Sequence, residues 1–109
     1  MVTLDDGTVL VNYTFHSVVL MEKLHDDVII QPEADAPARL VTHRRRISRY
    51  ITKVDFGEAV NLPEYRRGIY IIVSAPVKIA LRHRIDLVTP NDLLRDRDGN
   101  VIGCRTFAL

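Results

Sequence analysis

Cysteine is nearly missing from this chain of 109 residues: Cys104 stands alone, so no internal disulfide is possible and no thiol-rich metal site exists. A single thiol fits a reducing, intracellular compartment. Long apolar runs are missing too. The run Ile69 to Val73 is far below the roughly 20 residues that a membrane helix needs. The first residues, Met1 to Asp6, are acidic and lack a basic segment followed by an apolar one, so no signal peptide is expected. Glycine and proline are sparse, at five each, which argues against disorder. Histidines 16, 25, 43 and 83 are scattered, without a His-x-x-x-His or Cys-His pattern, and no cofactor or metal set is legible.

What is present is a chain large enough for one domain, residues 1–109, with a real core. Its net charge of +1 conceals an asymmetry: residues 1 to 37 hold one basic and seven acidic side chains, and residues 38 to 109 hold fourteen and seven. Three arrangements fit. The charges intersperse over one surface, a basic face meets an anionic partner, or oppositely charged faces meet between subunits.

Apolar patterning predicts a succession of short strands. Val9, Val11, Tyr13 and Phe15 alternate with Leu10, Asn12, Thr14 and His16, giving one apolar and one mostly polar face. Val28 to Ile30 reads as a short strand, Glu33 to Pro37 as a loop, and Ala38 to Thr42 as extended. His43 to Arg46 interrupts the apolar pattern before a strand expected over Ile47 to Phe56, where β-branched and aromatic residues collect. Ser74 is an N-cap residue and Pro76 suits a first helical turn, so a short helix is expected over about 75–83, with Val77, Ala80 and Leu81 on its buried face. An Asp86-to-Pro90 step follows. Asp98-Gly99 marks a tight turn joining Leu93–Arg95 to Val101–Ile102. The expected fold is α+β: a mostly antiparallel or mixed β-sheet, one short covering helix and a C-terminal β-hairpin.

Three groups carry candidate chemistry. Ser74 opens the helix, where free amides and the helix dipole attract anions, and Lys78, Arg82, His83 or Arg84 add positive charge. Capping alone explains the same serine, and no Gly-rich phosphate loop accompanies it. Arg44, Arg45, Arg46 and Arg49, with Arg39, His43 and Lys53, form a basic segment suited to nucleic-acid phosphates, beside Tyr50 as a stacking surface. A solvated strand edge or an oligomer contact is the favoured explanation over nucleic acid, and strand alternation would split the run between two faces. His16 with Asn12 and Thr14 could hold a ligand or move a proton, or be a histidine bonded to the backbone. Asp96 to Asn100 is no calcium loop: its glycine is misplaced and Phe107 stands where a bidentate Glu belongs.

Five segments taken together resemble a family of small uncharacterised proteins of phage and prophage gene sets. They are Asn12-Tyr13-Thr14-Phe15-His16, Phe56-Gly57-Glu58 with Leu62-Pro63, Tyr70-Ile71-Ile72-Val73-Ser74, Arg84-Ile85-Asp86-Leu87-Val88-Thr89-Pro90, and Arg95 to Gly103. They answer to the family's Asn-Leu-Thr-Pro-His, Phe-Gly-Glu, Tyr-Ile-Val-Ser, Arg-x-Asp-Leu-x-x-Pro and Arg-Asp-x-x-Gly segments, with Phe15 in place of the Pro. The resemblance implies a viral or mobile-element origin and action inside a bacterial or archaeal cell.

The resulting expectation is a non-enzymatic binding protein acting in the host cytoplasm, sequestering an anionic nucleotide-like ligand of the host. Ser74, Lys78, Arg82 and Arg84 would meet phosphate, with His16 or Tyr70 near the base. The alternative is a protein–protein or nucleic-acid interaction factor using residues 43–49. Short strands with charged edges also make a homodimer an expected state, and no membrane partner is expected.

Overall fold

The computed structural model describes residues 1–33 and 35–109. Among the described residues nine strands and one helix follow in chain order: β1 (Val2–Thr3), β2 (Val9–Asn12), β3 (Val18–Leu20), β4 (Val28–Ile30), β5 (Arg39–Arg46), β6 (Thr52–Val60), β7 (Ile69–Ile72), α1 (Ala75–Ala80), β8 (Leu87–Arg95) and β9 (Val101–Ala108). Seven of the strands form one mixed sheet in the order β1-β2-β7-β8-β9-β3-β4. The β2–β7, β7–β8 and β3–β9 pairs are parallel. No helix among the described residues is long and apolar enough to cross a membrane.

The sheet curls until its ends nearly meet. Asn12 bridges Pro32, and the Glu33 amide donates to the Asn12 carbonyl at 2.7 Å. The curl sorts apolar side chains by parity. Leu10, Ile72 and Val88 point inward with Val18, Ile30 and Cys104. Val11, Ile71, Val73 and Leu87 point outward, where Val77 of α1 and Ala38 and Leu40 at the foot of β5 cover them. Central strands covered on both faces carry apolar residues at successive positions.

That double burial corrects the expected polar face of β2. Leu10 is 1% exposed and Asn12 is fully buried. The strand ends at Asn12, and Phe15 is exposed. Asn12 serves as the seam's latch: its amide nitrogen donates to the carbonyls of Ile30 and His16, both at 2.9 Å, and its oxygen accepts from the Thr14 amide at 2.8 Å. The expected site at Asn12, Thr14 and His16 is therefore largely consumed by this closure. The His16 ring lies at the surface, with Nδ1 3.1 Å from the Ser17 carbonyl.

The helix is shorter than expected. It stops at Ala80, leaving Arg82 and His83 in a turn, and Ala80 is exposed while Val77 alone of its residues is buried. The Asp86-to-Pro90 step enters β8 at Leu87, and β8 pairs with β9 through Pro90–Phe107 and Leu93–Cys104. The expected C-terminal hairpin is present. Its loop closes because Asp96 Oδ1 accepts the amides of Asp98 and Asn100 while Gly99 takes φ of 83°. Of the expected loop at Glu33 to Pro37, Ala34 lies outside the described residues.

β5 and β6 stand apart as a two-stranded sheet. The expected strand over Ile47 to Phe56 is corrected accordingly: β5 runs through the arginines to Arg46, the chain turns at residues 47–51, and β6 begins at Thr52. From Thr42 to Glu58 every residue is exposed. This ribbon makes the molecule long, at 54 × 38 × 24 Å, with a radius of gyration of 16.0 Å against about 13 Å for a compact chain of this size.

Candidate functional site

The β5–β6 ribbon is rooted and then released. Its root is Leu40 opposite Ala59, packed on the outer core face, with the Ala38 amide bonded to the Tyr13 carbonyl at 2.9 Å. Past the root, β6 carries one residue more than β5: Leu40 faces Ala59 but Thr42 faces Phe56. Such a bulge bends a strand and raises its twist. Gly57 lies within it, and the His43 ring covers the glycine so closely that a Cβ there would stand 3.0 Å from Nε2.

Pairing and alternation then assign the arm's two faces. Thr42, Arg44 and Arg46 share one with Phe56, Val54 and Thr52; His43 and Arg45 share the other with Asp55 and Lys53. The predicted split of the basic run is what the strand delivers. Residues 39 to 58 hold six Arg or Lys and two acidic side chains. Solvent screens these charges from one another, and both faces and both edges remain open to a partner.

The tip is ordered by the arm's own atoms. Ile47 donates to the Ile51 carbonyl at 2.9 Å, and Arg46 reaches over the turn to the carbonyls of Ser48 (3.2 Å) and Arg49 (2.8 Å). Arg46 is thus a staple of the turn. The Arg49 guanidinium stands 5.2 Å from the centre of the Tyr50 ring, within cation–π range. This ordered turn presents Ile47, Tyr50 and Ile51 to solvent, Tyr50 at 80% exposure, and Val54 and Phe56 extend the apolar surface down the shaft. This surface is hidden in the sequence because β-branched and aromatic residues favour a strand wherever they collect, with no local mark of exposure. The signal available was Ser48-Arg49, a polar pair between two isoleucines.

The other nominated residues do not converge. Ser74 occupies the N-cap with extended dihedrals (φ −70°, ψ 156°), but its side chain makes no capping hydrogen bond. Lys78 Nζ donates to the Ala108 carbonyl at 3.0 Å, tying the helix to the end of β9. Arg84 donates to both Asp86 oxygens, at 2.9 and 2.8 Å, and to the Pro63 carbonyl at 3.0 Å. Its hydrogen bonds with Asp86 raise its pKa above the ordinary arginine value, so it is a fixed positive end of a structural pair. Arg82 is exposed beyond the helix.

Tyr70 is on the opposite side of β7, in the curled sheet's inner half, where it lines a cavity of about 300 Å³ with Arg105 and Phe107. His16 lines another of about 340 Å³ with Pro90, Leu93 and Cys104. Neither cavity is lined by Ser74, Lys78, Arg82 or Arg84. Burial pushes the Cys104 thiol above its ordinary pKa, which suits a packed side chain better than a nucleophile. Among the described residues, no group of three or more His, Cys, Asp or Glu side chains is placed to hold a metal ion.

No protein-family model, curated protein or solved structure matches the chain.

Proposed function

We propose that the protein is a non-enzymatic binding protein whose contact element is the β5–β6 arm. The observation that carries this reading is an ordered, basic ribbon that holds its largest apolar side chains out in water. A free two-stranded ribbon is marginal by itself, and large exposed apolar surface marks interaction sites. Arg44, Arg45 and Arg49 supply steering charge, while Ile47, Tyr50 and Phe56 supply area for desolvation. The triple variant Ile47→Ser, Tyr50→Ala, Ile51→Ser tests it. Oligonucleotide anisotropy over a salt series and sedimentation of the protein alone would both be measured. An arm variant indistinguishable from the wild type in both assays ends this reading.

A second reading keeps the anionic nucleotide-like ligand, and the observation that favours it is the Tyr70 cavity. There two aromatic rings, Tyr70 and Phe107, accompany one guanidinium, Arg105, a combination suited to a base and a phosphate. Resemblance to phage and prophage proteins would make that ligand a host signal. A thermal-shift panel of linear and cyclic nucleotides tests it, with Arg105→Ala and Tyr70→Leu abolishing any shift.

A further inference from the structure

The arm's chemistry has a complement on the same molecule. Between the β1–β2 turn and the segment joining β3 to β4 lies a cavity of about 500 Å³, floored by Leu4 and Leu20. Five of its lining side chains are carboxylates: Asp5, Asp6, Glu22, Asp26 and Asp27. The one basic side chain lining it, His25, stands 3.7 Å from Asp5 and 3.6 Å from Glu22, too long for hydrogen bonds. The cavity is therefore acidic at its rim and apolar beneath, whereas the arm is basic along its shaft and apolar at its tip.

We propose that the arm of one copy docks in the acidic cleft of a second copy, so that the protein self-associates head to tail. The inference rests on the arm being the contact element and names its partner. Charge decides between the possible surfaces. Residues 39 to 58 carry a net +4 and the remaining residues a net −3. Arm against arm sets like charges opposite, whereas arm against cleft sets opposite ones.

Topology places the partner outside the molecule. The arm leaves beside the end of β2, where Ala38 bonds Tyr13. The cleft opens at the start of β2, where Thr3 pairs with Val9. Arm and cleft thus flank opposite ends of one strand, and the contact uses different surfaces on the two copies. Such a heterologous contact closes into a ring or propagates as a filament. In the docked state the Tyr50 ring and its isoleucine neighbours fill the apolar floor while Arg44, Arg45 and Arg49 meet the carboxylate rim.

Sedimentation velocity of the full chain tests this, over a concentration series at low and high salt. Wild type is expected to associate at low salt and to dissociate as salt screens the contact. Arg44→Glu/Arg45→Glu and Asp26→Arg/Asp27→Arg are each expected to be monomeric, and their equimolar mixture to associate again in alternation, because the unaltered arm of the second fits the unaltered cleft of the first and the two reversed surfaces fit each other. Tyr50→Asp, at an exposed turn where the ring meets only the Arg49 guanidinium, is expected to weaken association at least tenfold while circular dichroism is unchanged. A wild type monomeric at all concentrations overturns the proposal, and so does a mixture of folded variants that fails to associate. If the wild type stays monomeric yet binds an oligonucleotide that the arm variants lose, self-association is wrong and the arm remains the contact element.

Discussion

The side chain of Asn12 donates to the main-chain carbonyl of Ile30 across the seam where the curled sheet meets itself. These residues are eighteen apart in sequence, and the same amide also holds the His16 carbonyl. Asn12→Ala takes the side-chain donor from the buried Ile30 carbonyl and the acceptor from the Thr14 amide, at an expected cost of about 3 kcal/mol. Asn12→Asp should rescue little, because a carboxylate can accept from Thr14 but cannot donate to Ile30. Urea denaturation of the three proteins checks this, and an Asn12→Asp variant as stable as the wild type would remove the latch.

A second close approach sets the contact between β3 and β9. A Cβ on Gly103 would stand 2.5 Å from Met21 Sδ and 2.9 Å from the Val19 carbonyl. The sulfur can swing away, but the carbonyl belongs to the strand beside it. Gly103→Ala is expected to cost about 2 kcal/mol by overpacking, and Met21→Ala in the same chain to recover only part. Thermal melts of the single and double variants measure both numbers.

The Arg84–Asp86 pair predicts a different signature. Asp86 is 2% exposed, and removing its partner by Arg84→Met strands a buried carboxylate, at a cost of about 3 kcal/mol. Arg84→Met with Asp86→Leu removes both charges and should be closer to wild type than Arg84→Met alone. A double-mutant cycle in urea reads the coupling, which a merely exposed pair would put below about 1 kcal/mol.

Cys104 supplies a pH dependence. Its folded pKa is raised by burial, so on raising the pH the unfolded chain ionises first and binds fewer protons than the folded one. Stability from this group is complete below the unfolded thiol's pKa, about 8.5, and falls as pH rises above it. Cys104→Ala should remove that part of the alkaline slope. Iodoacetamide should label the native protein slowly and the urea-unfolded protein fast.

What the sequence disclosed followed local rules. Asp98-Gly99 announced the C-terminal turn because φ above zero is nearly glycine's own territory, and Ser74-Pro76 announced a helix start. What it hid was long-range. Leu10 and Asn12 looked like the weaker face of β2 because nothing local states that β4 returns to cover them. Tyr70 and Ser74, four residues apart, looked like one site, but Tyr70 points into the curled sheet while Ser74 opens the helix that packs on its outer face. The basic run was visible as charge; its projection from the body was not, since strand periodicity is the same in a covered sheet and in a free ribbon.

The arm should therefore separate stability from contact. Leu40 is buried at the root among Val11, Val73 and Val77, and Leu40→Ala is expected to cost about 3 kcal/mol as a core truncation. Ile51, 59% exposed at the tip, touches no core, and Ile51→Ser should change stability by less than about 0.5 kcal/mol. Ordering in a partner would invert that ranking: Ile51→Ser should weaken the arm's binding several-fold while Leu40→Ala, once folded, binds nearly as before. Paired melts and sedimentation on the two variants test the inversion. Equal losses of stability would mean that the tip packs on the body, and the arm would no longer be a free contact element.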